Sequence, residues 1–147
     1  MSKAFFRWLV ATLLIISSPL LASAAMRHVP GDYPGIQNAI DASANGDIIL
    51  VSPGVYNENI NFRGKAITVS STNPADPTVV SNTVIHAIAK RSVVTFVTRE
   101  SSNSVLTGFH ITGGYGTINS SFDTTVFWGG GIYCYLSSPT ITGNIGL

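Results

Sequence analysis

Seven carboxylates, three histidines and one cysteine are the residues that could do chemistry in this sequence of 147 residues. Their spacing argues against most of it. Calcium needs several hard oxygens converging on one point. After residue 60 the acidic residues are only Asp76, Glu100 and Asp123, each isolated, with no D-x-D or D-D pair. A two-carboxylate hydrolase finds no support in that spacing either. Arg99-Glu100 reads as a solvated turn pair, and Glu58 is expected to bond the corner that follows Val55-Tyr56-Asn57. His86 and His110 fall in strand patterns, where imidazole is expected to be a hydrogen-bonded packing residue, and no H-x-H spacing supports a metal. His28, the third, carries little information. The lone Cys134 reads as an inward-stacked thiol, with an intermolecular disulfide as the sharper alternative. Gly113-Gly114 and Gly129-Gly130-Gly131 lack the Gly-Lys-Ser/Thr ending of a phosphate loop and read as tight corners. No catalytic residue can be assigned, and neither a cofactor nor a metal is expected.

The strongest local feature is aromatic. Tyr115, Phe122, Phe127, Trp128, Tyr133 and Tyr135 fall within a span of 21 residues. Exposed rings stack on sugar faces through dispersion and CH–π contact, and a low charge suits a neutral glycan. Tyr115, Phe127, Trp128, Tyr133 and Tyr135 are therefore the candidate carbohydrate-stacking residues. The plainer alternative is that Phe122, Phe127 and Trp128 only cover apolar surface.

The elements that must position these residues follow from composition. Charged residues make up 10% of the chain, against about 25% in an ordinary soluble domain. The positive mean hydropathy is concentrated at the start. Lys3 and Arg7 precede an apolar run, Trp8 to Ile16, then Ser17-Ser18-Pro19 and the Ala22-Ser23-Ala24 cleavage pattern. This layout predicts a secretory signal peptide over residues 1–25. The run is shorter than the roughly 20 apolar residues a spanning helix needs, so the mature chain is expected not to cross a membrane. After residue 25, six Lys/Arg face seven Asp/Glu, which excludes a nucleic-acid binder built on a basic patch. One cysteine excludes a disulfide scaffold.

Residues 26–147 hold 25 Ile plus Val, 13 Thr and only 4 Leu. β-branched side chains suit a pleated surface, and the abundant Ser, Asn and Gly punctuate turns. One helix is expected over residues 35–44, with Asp32 as N-cap and Asn45-Gly46 as the stop. Short strands are expected at 48–51, 55–56, 60–62 and 67–70, with 73–77 as a loop. Val79-Val80, Val84-Ile85, Val93 to Val97 and Val105 to Ile111 continue the strand pattern. Leu106-Thr107-Gly108 is echoed by Ile141-Thr142-Gly143, 35 residues on. Short strands with such an echo suggest a solenoid. A repeat of about 22–25 residues would place an insertion over Thr117 to Trp128.

Three stretches carry a family resemblance: Tyr33-Pro34-Gly35-Ile36-Gln37-Asn38-Ala39-Ile40-Asp41-Ala42, Gly46-Asp47-Ile48-Ile49-Leu50-Val51, and Pro53-Gly54-Val55-Tyr56-Asn57-Glu58-Asn59-Ile60. Together they resemble the start of secreted bacterial right-handed parallel β-helix repeat proteins of the pectin-lyase-like superfamily. Val105 to Gly114 and Gly129 to Thr142 resemble later coils of the same proteins. The resemblance implies an all-β solenoid with a short N-terminal capping helix. Tyr33, Ile36, Ile40, Val55 and Tyr56 would then be cap and first-coil packing. It also implies more coils than this length provides, hence a chain truncated at its C-terminus, carrying the cap and first coils over residues 26–147. No catalytic residue is carried over. The pectinesterase-like site needs two Asp, an Arg and a Gln, and the only Gln is Gln37, in the cap helix.

The expectation is an exported protein, extracellular, on the cell surface or periplasmic, that binds or processes polysaccharide without a complete active site in these residues. A non-enzymatic structural or adhesive surface repeat is the second reading. A lyase or esterase is the third, and the shortage of carboxylates disfavours it. Self-association through an uncapped last coil is a further expected partner interaction.

Overall fold

The computed structural model describes residues 23–118 and 127–146. The expected signal segment falls almost wholly outside the described residues, and so do Phe122 and Asp123. In chain order the elements are β1 (Met26–Val29), α1 (Ile36–Ala42), β2 (Ile48–Val51), β3 (Gly54–Asn57), β4 (Ile60–Asn61) and β5 (Thr68–Ser71). There follow α2 (Pro77–Asn82), β6 (Thr83–His86), β7 (Val94–Phe96), β8 (Val105–Thr107) and β9 (His110–Thr112). The last are β10 (Thr117–Ile118), β11 (Phe127–Trp128), β12 (Ile132–Cys134) and β13 (Thr140–Thr142).

The strands form three short parallel sheets and one antiparallel ribbon. The first sheet has the order β1-β2-β5-β8-β13, the second β3-β6-β9 and the third β4-β7-β12, while β10 pairs with β11. From β2 onward the chain visits the first, second and third sheets in rotation. After β13 an isolated parallel bridge joins Ile145 to His110, at the second sheet again. The step between paired residues is not constant. Met26 pairs with Ile48, 22 residues on, and Ile48 with Thr68, 20 on. Thr68 pairs with Val105, 37 on, and Val105 with Thr140, 35 on. The expected 22–25-residue repeat therefore holds only at the start. One long step carries α2, and the other carries the ribbon. The Thr-Gly echo is the pairing register itself, since Thr107 lies opposite Thr142.

Parallel strands in register place paired side chains on the same face. Ladders therefore run across the sheets into a common interior. Ile49, Val69 and Leu106 form one, Tyr56, Ile85 and Ile111 a second, and Ile60 and Val94 a third, all buried. Phe62 and Phe96 meet with ring centroids 4.4 Å apart. Each fully buried Ile or Phe contributes about 1.5–3 kcal/mol. Val55 does not join them. Its neighbour Tyr56 points inward, so period-two alternation turns Val55 out, where it is 65% exposed. Tyr33, Ile36 and Ile40 do pack on the core.

Helix α1 is shorter than expected. Ile36, Ala39 and Ile40 make the apolar stripe and are buried. Its N-cap is Gly35, with no cap from its own side chain. Asp32 instead accepts from the His28 amide, 2.7 Å, and faces its Nδ1, 3.2 Å. A seven-residue helix does not hold alone in water, and distant residues secure both ends. Glu58 accepts from Ile36 N at 2.8 Å and from Gln37 N at 2.9 Å. Lys65 Nζ donates to the carbonyls of Ile40, Asp41 and Ser43 at 2.7–2.8 Å.

Two other strand readings are corrected. Val79-Val80 belongs to α2, which Asp76 caps by accepting from Thr78 N, with Pro77 in the first turn. Val105 to Ile111 is two strands, broken at Gly108-Phe109.

Candidate functional site

The third sheet carries a cavity on its outer face. Asn61 pairs with Thr95, and Thr95 with Tyr133. These three alternate with the buried Ile60, Val94 and Phe96, and so form an outward row. A cavity of about 420 Å³ lies over that row, walled also by Lys90, Arg91, Val97, Thr117 and Ile118.

The ribbon builds one wall. Thr117 pairs with Trp128, and Ile118 with Phe127. Buried Ser92 anchors it: its Oγ lies 2.8 Å from Thr117 Oγ1 and donates to the carbonyls of Trp128, at 3.3 Å, and Gly129. Tyr115 N donates to Arg91 O at 3.0 Å, which fixes the ribbon to the basic pair. The strands leading into and out of the ribbon cross closely. A Cβ on Gly114 would collide with the Gly130 carbonyl, so a side chain is excluded there.

The candidate aromatic residues divide into groups. Tyr133 lines the cavity. Tyr135 stacks beside it, centroids 6.5 Å apart and planes 9° apart. Tyr115 meets Phe127 edge to face at 4.9 Å, and Lys90 Nζ sits 5.6 Å from the Tyr115 centroid. Trp128 is half-exposed on the ribbon. Sequence reasoning missed Lys90, Arg91, Asn61 and Thr95. Lys90-Arg91 is the only adjacent basic pair after residue 25, a signal that was there to be read.

The described carboxylates are all engaged away from this cavity. Asp47, buried, accepts from Ala25 N, Ala44 N and Arg27 at 2.8–3.0 Å. The Ala44 and Ala25 amides, with the Arg27 guanidinium, hold its carboxyl below the usual range. Arg27 also donates to Tyr33 OH, 2.6 Å. It is aligned with Ile49 at the end of an inner ladder, where its charge is matched by Asp47. Asp41 pairs with Arg63 at 2.9 Å, and Glu58 and Asp76 cap the two helices. Glu100 is not the solvated turn residue expected. It is only 3% exposed and accepts from Gly64 N, Thr98 N and Ser137 Oγ, each at 2.8 Å. Burial pushes its carboxyl up, but those hydrogen bonds outweigh burial and leave it below the usual range.

The remaining candidates lie apart. His86 and His110 are on the outer face of the second sheet, opposite Thr112 and Val84, and not in the inner stack. Neither imidazole has a hydrogen-bond partner among the described residues. Cys134 is aligned with Phe96, yet the residue is exposed, with its thiol partly desolvated. Burial of the thiol, then the nearby Glu100 charge, raises its pKa. Among the described residues no group of three or more His, Cys, Asp or Glu could hold a metal ion, and no helix is long and apolar enough to cross a membrane. The chain matches no family model, no curated protein and no solved structure.

Proposed function

We propose that this chain is an exported right-handed parallel β-helix protein that binds extracellular polysaccharide and carries no complete active site in these residues. The β-helix reading is supported by three parallel sheets visited in rotation. The export reading rests on the basic, apolar and small-residue layout of residues 1–25. One observation carries the binding reading. The cavity over the third sheet joins a tyrosine wall to a row of hydrogen-bonding side chains, Asn61 and Thr95. A sugar needs this pairing, an apolar face for its ring and polar groups for its hydroxyls. The described carboxylates, which hydrolysis or lyase chemistry would require, are engaged at helix ends, turns and ion pairs away from this cavity.

Affinity electrophoresis in gels containing defined polysaccharides tests the reading. Tyr133→Ala and Trp128→Ala are compared with the parent chain. The expected result is retardation in at least one gel, lost in Tyr133→Ala and weakened in Trp128→Ala. Equal mobility of all three proteins in every gel rejects glycan binding and leaves a structural role on the cell surface.

A further inference from the structure

We infer that export processing cuts the chain between Ala24 and Ala25, and that the α-ammonium set free on Ala25 forms an ion pair with buried Asp47. This rests on the export reading above and moves the expected end of the signal segment back by one residue. The sequence alone permits two cuts. Small residues one and three places before the scissile bond mark a cleavage site. Ala22-Ser23-Ala24 allows a cut after Ala24, and Ser23-Ala24-Ala25 allows one after Ala25. The structure separates them. Ser23 and Ala24 are exposed and belong to no strand. Ala25 is held at both backbone groups: its carbonyl accepts from Ile48 N at 2.9 Å, and its N–H donates to Asp47 Oδ1 at 2.8 Å. A cut after Ala25 discards both bonds, and a cut after Ala24 keeps them.

Asp47 is placed to receive a cation there. It is a buried carboxylate. Its Oδ2 accepts from the Arg27 guanidinium at 2.9 and 3.0 Å and from Ala44 N at 2.9 Å, while Oδ1 faces the Ala25 nitrogen. Hydrolysis of the Ala24–Ala25 bond by a signal peptidase adds one water. Ala24 leaves as a carboxylate at the end of residues 1–24, and the proton released sits on the Ala25 amine. An α-amino group has an ordinary pKa of about 7.7–8.0, and a carboxylate beside it favours the charged form further. The neutral amide hydrogen bond of the uncut chain thus becomes a charge-assisted one, which is the stronger kind. Asp47 has already given up its water in the uncut fold, so the new charge adds attraction without a second desolvation of the carboxylate. Little has to move, because Met26 pairs with Ile48 and so fixes the nitrogen one residue before β1. Strand β1 is the edge of the first sheet, and processing strengthens its hold on β2.

The test expresses the full chain, with residues 1–25 intact, in a bacterial host. Intact mass and N-terminal sequencing of the exported product come first, and Ala25 is expected as its first residue. The purified product is then compared with the same protein after selective transamination, which turns the α-amine into a ketone and leaves lysine side chains untouched. Urea denaturation follows for the parent and for Asp47→Asn. The expected result is an unfolding equilibrium constant about tenfold or more larger in the transaminated parent, and a much smaller change in Asp47→Asn. An unchanged midpoint on transamination of the parent overturns the ion pair, and decides the matter even where Asp47→Asn does not fold. A change as large in Asp47→Asn as in the parent also overturns it, because a partner other than Asp47 then holds the amine. A product beginning at Met26, or anywhere but Ala25, overturns the cut and leaves the export reading standing. The 147-residue chain kept whole inside the cell overturns both.

Discussion

Replacing Glu100 tests whether a single buried carboxylate ties three separate corners together. Its oxygens receive Gly64 N, Thr98 N and Ser137 Oγ, from segments that precede, adjoin and follow it in the chain. In Glu100→Ala the Ser137 hydroxyl can turn wholly to Tyr135 O, 3.1 Å away, and loses little. The two backbone N–H groups lose their charged acceptor. Hydrogen bonds to a charged acceptor are worth about 1.5–3 kcal/mol each, so the loss is about 3–6 kcal/mol. That is a large share of the 5–15 kcal/mol that holds a typical domain. Glu100→Gln keeps one acceptor oxygen and turns an NH₂ toward one donor, so about half that loss is expected. The pH dependence separates charge from packing. The folded carboxyl lies below its ordinary value of 4.5, so its stabilisation is full above that pH. It is lost as pH falls through the folded value. Urea denaturation midpoints for parent and Glu100→Gln between pH 3 and pH 8 should show a gap that narrows on acidification. Equal midpoints at pH 7, or a gap of unchanged size at pH 3, would refute the reasoning.

Three further outcomes are expected. Lys65→Met removes the ammonium from the C-terminal carbonyls of α1 and should cost about 1–2 kcal/mol, read as a lower thermal midpoint; an unchanged midpoint counts against the clamp. Gly108→Ala and Gly46→Ala both place a side chain at positive φ, +82° and +94°. A Cβ at 108 would also strike Ser71 Oγ and Pro74, while at 46 nothing lies within 4 Å. Gly46→Ala should therefore cost only the backbone term, about 1–2 kcal/mol, and Gly108→Ala clearly more in the same denaturation assay. Phe96→Ala, at the heart of the ring pair with Phe62, should cost about 3–5 kcal/mol, and a loss under 1 kcal/mol would contradict its place in the core.

Much of the fold was legible because β-branched alternation and turn residues act locally. The 35-residue echo of Thr-Gly coincides with a pairing register, Thr107 opposite Thr142. What was hidden depended on residues far apart in sequence. Glu58 caps α1 from 22 residues away, so the nearer Asp32 looked like the cap. Glu100 seemed solvated because its partners, Gly64 and Ser137, lie 36 and 37 residues off. Val79-Val80 looked like strand, although Asp76-Pro77 is a helix start that the local residues do spell out. Cys134 has the inward register expected of it, but register says nothing about whether a further layer covers it. At the candidate site, the aromatic cluster drew attention and the basic pair did not. Only the sheet register brings Asn61, Thr95 and Tyr133 from three distant stretches into one row.

The uneven step between paired strands has an evolutionary consequence. Twenty residues or thirty-seven can separate two paired positions, yet the same ladder is continued across both gaps. Length is thus absorbed at the corners, while the interior registers only which residue follows which on a strand. Loops can be exchanged, lengthened or borrowed there without renegotiating the core. The ribbon that walls the cavity is one such corner. Relatives of this chain would then diversify first in what they recognise, at a cost in stability set by the corner alone.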